Sequence, residues 1–445
     1  MTLHLVYRLP LVALAAWTLL AMRIAADDWP QWMGPGRDDR WNETGIIEQF
    51  PKEGAKIVWR TPIAGGYSGP AVAAGRVYVT DYVCTEGEAK NDPGGRPDLK
   101  GRERVLCLDA ATGGEVWKYE YDCPYKISYP AGPRATPTVA GGKVYTLGAE
   151  GNLICFDAAK GQVLWQKDLQ KEYKALSPMW GFCGHPLVDG PKLICLVGGP
   201  GSAAVAFDID TGKELWKAIS GTPDAGYCPP SIIEAGGKRQ LLIWTPQTLN
   251  SLNPDNGQVY WTEPLVPQYG MSIAAPQKSG DLLYVSGIGS VGVAYKLAQD
   301  KPGIEIVWEG KPNSAVYCAS STPLIEGGVI YGNDCQVGNL RAVDLATGKR
   351  LWESFEPTTG GERRASHGTV FLTKNGDRYF LFSETGDLII ARLTKEGYQE
   401  TSRAHILEPT HEAFGRSVVW SHPAYANRCA YVRNDKEIVC VSLAK

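Results

Sequence analysis

The chain is poor in the residues that mark the common routes to chemistry. Its 445 residues include only six histidines and five methionines. No CxxC spacing occurs among its eleven cysteines, which argues against a structural zinc site. No CxxCH segment offers a haem attachment point, and serine-hydrolase, P-loop and dinucleotide fingerprints are absent. Charge is nearly balanced, 45 basic against 48 acidic residues, with no basic block to track a phosphate backbone; nucleic-acid binding is therefore not expected. One apolar run stands out, residues 9–22, and it is short for a membrane-spanning helix. With Arg8 before it and Ile24-Ala25-Ala26 after it, this run predicts a cleaved signal peptide over residues 1–26; an uncleaved N-terminal anchor is the other reading. The first cysteine is Cys84, so no lipid-attachment cysteine follows the signal. A periplasmic or extracellular compartment, permissive for disulfides, is expected, with no transmembrane segment after cleavage.

What the chain has in quantity is tryptophan, 14 residues, and glycine, 51 residues. They recur in register. CLDAATGGEVW (107–117), CFDAAKGQVLW (155–165), AFDIDTGKELW (206–216) and AVDLATGKRLW (342–352) align without a gap. SLNPDNGQVYW (251–261) substitutes Asn253 for the Asp, and a sixth copy from Ala294 to Trp308 carries an insertion. Successive Trp spacings of 48, 51, 45, 47 and 44 residues suit one four-stranded propeller blade. In each copy the Asp can accept turn amides and the Gly supplies positive φ. The Trp (Trp117, Trp165, Trp216, Trp261, Trp308 or Trp352) docks on a neighbouring blade. A second motif, Pro at a strand start with Tyr eight residues on, precedes the first: TPTVAGGKVY (136–145), TPLIEGGVIY (322–331), GPAVAAGRVY (69–78) and HPAYANRCAY (422–431). Weaker copies bring the inner strands to eight, but only seven outer strands follow them. Residues 56–60, with Trp59 in place, supply the missing one. These patterns predict an all-β fold: an eight-bladed β-propeller of four-stranded antiparallel blades over residues 56–445, its last blade closed by an N-terminal strand. Residues 27–55 are expected to form a Trp-rich strap that packs Trp29, Trp32 and Trp41 on the propeller.

The eleven-residue motif resembles the tryptophan-docking motif of the pyrroloquinoline-quinone-repeat family, that of the quinoprotein alcohol dehydrogenases. WPQWMGPGRDDRW (29–41) resembles the N-terminal stretch of secreted planctomycete-type quinone-repeat proteins. A more distant resemblance is to the outer-membrane assembly propeller lipoproteins, which are non-catalytic scaffolds. The dehydrogenase resemblance implies a quinone on a Trp floor at the channel mouth, with a metal held by Glu, Asn and Asp. Asn333-Asp334 imitates part of that ligand set and also reads as a turn; no Glu partner and no Cys-Cys pair is present.

Strand order sends the short repeated turns to one face and the variable connections to the other, so function is expected on the variable face. A long polar insertion at 81–104 lies there. So do Tyr67, Tyr129, Trp180, Tyr227, Tyr269, Tyr317 and Trp420, which either rim a ligand cavity or pack the channel mouth. His185, His367 and His422 share one repeat position and either face a ligand or bond backbone carbonyls. Arg134, Arg364 and Arg416 lie on the approach segments, where they could neutralise an anion. Cys107, Cys155, Cys195, Cys429 and Cys440 read as buried small hydrophobes. The loop cysteines suggest disulfides Cys84–Cys123, Cys183–Cys228 and Cys318–Cys335. The expected function is a monomeric, non-catalytic binding or scaffold propeller needing no cofactor, with a protein, small molecule or glycan on its variable face. The alternative is a divergent dehydrogenase of alcohols or sugars using pyrroloquinoline quinone with calcium.

Overall fold

The computed structural model describes residues 27–220, 224–361 and 363–445; the expected signal peptide, residues 1–26, lies outside the described residues. Eight four-stranded antiparallel sheets follow one another along the chain. Blade 1 is Ala71–Ala73, Arg76–Glu86, Lys100–Asp109 and Glu115–Asp122. Blades 2 to 7 repeat the order, their inner strands opening at Thr138, Leu187, Ser231, Gln277, Leu324 and Val370. Blade 8 takes Ala424–Ala426, Cys429–Arg433 and Glu437–Ser442 from the end of the chain. Its fourth strand is Lys56–Pro62, with Lys56 opposite Ser442 and Pro62 opposite Glu437. The ring closes through the N-terminal strand as the strand count requires, and no sheet edge remains open at the seam. Among the described residues no helix is long and apolar enough to cross a membrane.

The repeat motif makes the contact between blades. Trp117 of blade 1 donates its indole N–H to Ala158 O in the outer turn of blade 2, at 2.9 Å. Trp165 reaches Ile209 O in blade 3, Trp216 reaches Pro254 O in blade 4, and Trp308 reaches Leu345 O in blade 6. Trp59 of the closing strand reaches Ala110 O in blade 1 at 2.9 Å, so the seam carries the same lock. At each of these interfaces the accepting carbonyl follows the motif Asp or Asn. That side chain holds the turn: Asp109 accepts from the amides of Ala111 and Thr112, and Asp208 from those of Asp210 and Thr211. The turn glycine serves both needs at once. Gly161 has φ +68°, and a Cβ there would meet the Trp117 ring at 2.5 Å. Only a bare Cα lets the indole lie flat on the turn.

Three interfaces depart from the rule. The outer turn of blade 5 is lengthened, closing through the Ala298 amide on Gly303 O. Trp261 of blade 4 therefore meets no motif turn and, contrary to the docking expected of it, donates to Gln240 of its own blade. Trp352 of blade 6 keeps a docking bond but not the expected partner. Blade 7 has no motif copy, so its outer turn runs Thr394-Lys395-Glu396-Gly397 without the Asp, and Trp352 donates to Thr394 O at 2.7 Å. This indole is only half-buried, packing against Tyr331 of its own blade at 6.0 Å. Blade 7 itself ends in Tyr398–His405, which has no Trp to offer blade 8.

The strap crosses the channel from the repeated-turn face. Trp29 pairs its backbone with Val72 of blade 1, and Trp41 pairs with Lys374 of blade 7. Arg37 donates to the carbonyls of His185, Pro186 and Pro230 on blades 3 and 4. Trp29 and Trp41 are fully buried.

The cysteines require a correction. All eleven are free thiols, and the pairs Cys84–Cys123, Cys183–Cys228 and Cys318–Cys335 are not formed. Cys84 donates to carbonyls of its own loop, Cys123 to Asn152, Cys183 to Trp180 O, and Cys228 to Ala274 O. Cys318 and Cys335 pack in separate apolar clusters. Cys107, Cys155, Cys195 and Cys440 are core residues, and Cys429 is half-buried.

The double duty of the turn glycine is testable. Gly161→Ala adds overpacking against Trp117 to left-handed strain, a combined cost of about 2–4 kcal/mol. At Gly141, with φ +56°, a Cβ would meet nothing within 4 Å. Its alanine variant costs about 1 kcal/mol, from backbone strain alone. Urea denaturation of the two variants checks the difference; equal losses would mean that the Trp contact is not what demands glycine.

Candidate functional site

The connections between blades converge around the channel on the variable face and leave a cavity of about 870 Å³. Trp32 of the strap is its floor: the strap reaches through the ring and stacks this indole on His185, with centroids 4.8 Å apart and planes 8° from parallel. His422 meets the same indole edge-on at 6.0 Å. The walls come from successive connections: Tyr129 and Arg134 between blades 1 and 2, Trp180 and His185 between 2 and 3, Tyr227 between 3 and 4. Tyr269 and Met271 follow, then Ser320, Ser321 and Thr322, then His367. A hairpin formed by His411–Ala413 and Arg416–Val418, before blade 8, adds Phe414 at its turn, with Trp420 and His422 just beyond it. Phe414 stacks on His367 at 4.9 Å, and Trp420 lies on Tyr129 at 6.3 Å.

Of the thirteen variable-face aromatics, histidines and arginines singled out from sequence, ten line this one cavity and Tyr317, Arg364 and Arg416 do not. Tyr317 is buried in the blade 5–6 connection, its hydroxyl donating to Lys311 O at 2.7 Å. Arg364 is exposed on its connection, outside the lining. Asp334 caps its turn through the amides of Gln336 and Val337 and pairs with Arg341, so its carboxylate is not open to a metal. Asn333 ends the strand Val329–Asn333 and donates to Gly368 O, while its Oδ1 is buried without a partner among the described residues. Among the described residues no group of three or more His, Cys, Asp or Glu is placed to hold a metal ion.

The histidines are neutral donors and acceptors. Burial drives His185 well below the ordinary imidazole range, with the nearby charge of Arg37 adding to it. Its Nδ1 accepts the Thr136 amide at 2.8 Å, which leaves the proton on Nε2. Burial lowers His367, and Arg416 adds to that. Burial takes His422 down to about 3.

Among the described residues no carboxylate or carboxamide lines the cavity, and Arg134 is the one charged side chain in its wall. Arg416 is spent behind the wall in a two-pronged pair with Glu384, at 2.8 and 3.1 Å; Glu384 also accepts the Trp420 indole. Arg134 donates to the carbonyls of Gly132, Ser128 and Tyr129 and lies over the Tyr67 ring, 4.9 Å from its centroid.

Sequence reasoning named Tyr67 but missed the cluster around it. Asp435 takes the His411 Nδ1–H at 2.7 Å, and the His411 Nε2 meets the Tyr67 hydroxyl. That hydroxyl donates to Asn91 Oδ1 at 3.2 Å, and Asn91 Nδ2 donates to Glu412 O at 2.8 Å. Asn91 belongs to the blade 1 insertion, whose Pro93 and Gly94 lie over the cavity. Ser128 bonds Asp92 O and Arg96 bonds Lys126 O, so the insertion is fastened on both sides of the mouth. His411 lies outside the repeat register, in a hairpin that no motif marks. Only its closeness in sequence to Trp420 could have suggested it.

Residues 101–354 match the family model described as outer membrane protein assembly factor BamB. No curated protein matches the chain. Among solved structures, the computationally designed Ika8 protein is 10% identical with a TM-score of 0.54, covering 87% of this chain and 100% of that one. BamB from Moraxella catarrhalis is 16% identical over 86% of this chain and 98% of its own, with a TM-score of 0.39. Quinohemoprotein alcohol dehydrogenase from Comamonas testosteroni is 15% identical over 94% and 81%, with a TM-score of 0.47. At these identities the likeness concerns the fold alone.

The depressed His422 has a signed consequence. Below pH 6.5 the unfolded chain binds a proton at this residue that the folded protein refuses until about pH 3, so stability falls as pH drops through that window. His422→Gln removes this contribution, and the decline in Tm between pH 7 and pH 4 becomes shallower than in the wild type. An unchanged decline would mean that His422 charges freely in the folded protein.

Proposed function

The chain belongs to the PQQ-repeat β-propeller family described as outer membrane protein assembly factor BamB, and from that premise we propose that it is an exported, non-catalytic binding protein whose variable face holds a small molecule. One observation carries this reading: a cavity of about 870 Å³, walled by aromatic rings and neutral imidazoles, is built from the only part of each blade that the repeat leaves free. That volume falls within the usual range for small-molecule sites, as does the mix of apolar walls with a few polar groups.

Pyrroloquinoline quinone with calcium does not fit these residues. A calcium ion needs several oxygen ligands, carboxylates foremost. Of the carboxylates behind the wall, Glu384 is held by Arg416 and Trp420, Asp435 by His411, and Asp224, beside Tyr227 and Cys183, accepts the Gly226 amide. The quinone itself carries three carboxyl groups, whereas the cavity presents one cation. No catalytic step is therefore assigned, and the dehydrogenase reading has no support in this donor set.

Adding pyrroloquinoline quinone and calcium to the purified protein is expected to give no dye reduction with alcohols or sugars. An uncharged ring probe, 2-naphthamide, is expected to bind and quench tryptophan fluorescence. Trp180, packed edge-on against Tyr227 at 5.6 Å, offers a partly open ring face. Trp180→Ala should weaken the probe by roughly tenfold. Quinone-dependent dye reduction would overturn the proposal.

A further inference from the structure

The cavity's electrostatics are one-sided. Its wall holds a guanidinium, Arg134, with no carboxylate in ion-pair range among the described residues. Backbone carbonyls take three of its N–H groups, leaving two of the five without an acceptor among the described residues. These carbonyls fix the side chain without neutralising it, and the Tyr67 face beneath it is likewise uncharged. Under the floor lies a second guanidinium, Arg37, 5.3 Å from the Trp32 ring and also bonded only to neutral oxygens. The other titratable groups on the wall add no counter-charge: Tyr67 and Tyr227 are pushed up by burial, as is Cys183, and the three histidines are pushed down. Behind the wall, Arg416 is cancelled by Glu384, Asp435 faces His411, and Asp224, whose charge reaches Cys183 and Tyr227, accepts the Gly226 amide. An unpaired cation in a largely apolar enclosure is costly unless something negative joins it.

We propose that Arg134 makes the cavity selective for an organic monoanion, a single carboxylate on a largely apolar, ring-shaped body. This rests on the cavity being a ligand site. Only Arg134 can touch the ligand's charge, because Trp32 separates Arg37 from the cavity; one contact cation suits one negative charge. A phosphate dianion or a polycarboxylate would need further cations at contact distance. A sugar acid carries several hydroxyl donors, and the wall has no carboxylate or carboxamide to accept them. Aromatic faces and a few hydroxyls suit a flat apolar body better.

The test compares isosteres on the full-length exported protein. 2-Naphthoate and 2-naphthamide share shape and ring and differ in charge; glucuronate supplies a carboxylate on a polar body. Binding is read by calorimetry at pH 6 and pH 8. The wild type should prefer naphthoate over naphthamide by roughly tenfold or more, the size of a charge-assisted hydrogen bond. The preference should be equal at both pH values, since the histidines do not supply the charge. Arg134→Gln should erase the preference, bringing naphthoate to the affinity of naphthamide, while Arg134→Lys, which keeps the charge, should retain most of it. Equal wild-type affinity for acid and amide would overturn this inference and leave the ligand cavity standing. So would a preference that survives Arg134→Gln or disappears at pH 8. Glucuronate binding more tightly than naphthoate would overturn the apolar-body assignment. Failure of both naphthalene probes would overturn the cavity reading itself, and the inference with it.

Discussion

An indole lying on a glycine turn is the contact on which the ring depends. Each blade alone is a twisted four-stranded sheet with two faces to cover. Trp117, Trp165, Trp216 and Trp308 carry one blade onto the next, and the receiving turn must offer a carbonyl at the right height and no side chain in the way. Burying a Trp removes roughly 150–250 Å² from water, which at about 25 cal/mol per Å² is an upper bound of about 4–6 kcal/mol per interface. The Asp that shapes the turn and the Gly that clears it are thus parts of the interface, although each looks like local hairpin chemistry. All these demands fall on one face, and the connections on the opposite face are released from them.

That release explains where the cavity comes from and why it is so uneven. Its floor belongs to neither face. The strap enters from the repeated-turn side, anchored by Trp29, Arg37 and Trp41, and sends Trp32 up the channel. One segment therefore stabilises the ring and shapes the site. The buried histidines around Trp32 give up their charge to be there, and the guanidinium of Arg134 does not. In a low-dielectric enclosure that difference sets the sign of the field a ligand meets.

The fold was legible because its determinants are repeated. Eleven-residue spacing identified the turns, the inner-strand prolines counted the blades, and the surplus strand at Trp59 revealed the closure. Trp261 and Trp352 show the limit of such reading. Both motif copies keep their spacing and their Trp, yet the Trp261 indole turns inward to Gln240 because the partner turn in blade 5 has been lengthened. Trp352 finds only the Thr394 carbonyl of a turn that has lost its Asp. A docking residue is only as predictable as the surface it docks on. The site was legible in part for the same reason. His185, His367 and His422 share a repeat position, so they reach one channel. Tyr317 shares the rim pattern but turns its hydroxyl back to Lys311, and Arg364 stays exposed outside the lining, because the course of a connection is not set by the repeat. His411 and Asn91 come from segments without periodicity, and their meeting over Tyr67 depends on the packing of a hairpin against a distant insertion. The cysteines misled because loop proximity says nothing about the direction of the Cα–Cβ bonds, which a disulfide requires.

The closing strand also imposes an order in time. Lys56–Pro62 is made before any other strand of the ring, and its partner, Glu437–Ser442, is made last. Until synthesis or translocation is nearly complete, the first strand has nothing to pair with, and Trp59 can dock on blade 1 only as a loose flap. The seven blades between must assemble as an open arc with an unpaired edge on blade 8, the kind of edge that recruits other chains. This propeller's period of greatest exposure to misassembly is thus fixed by its topology at the final moment of its biogenesis.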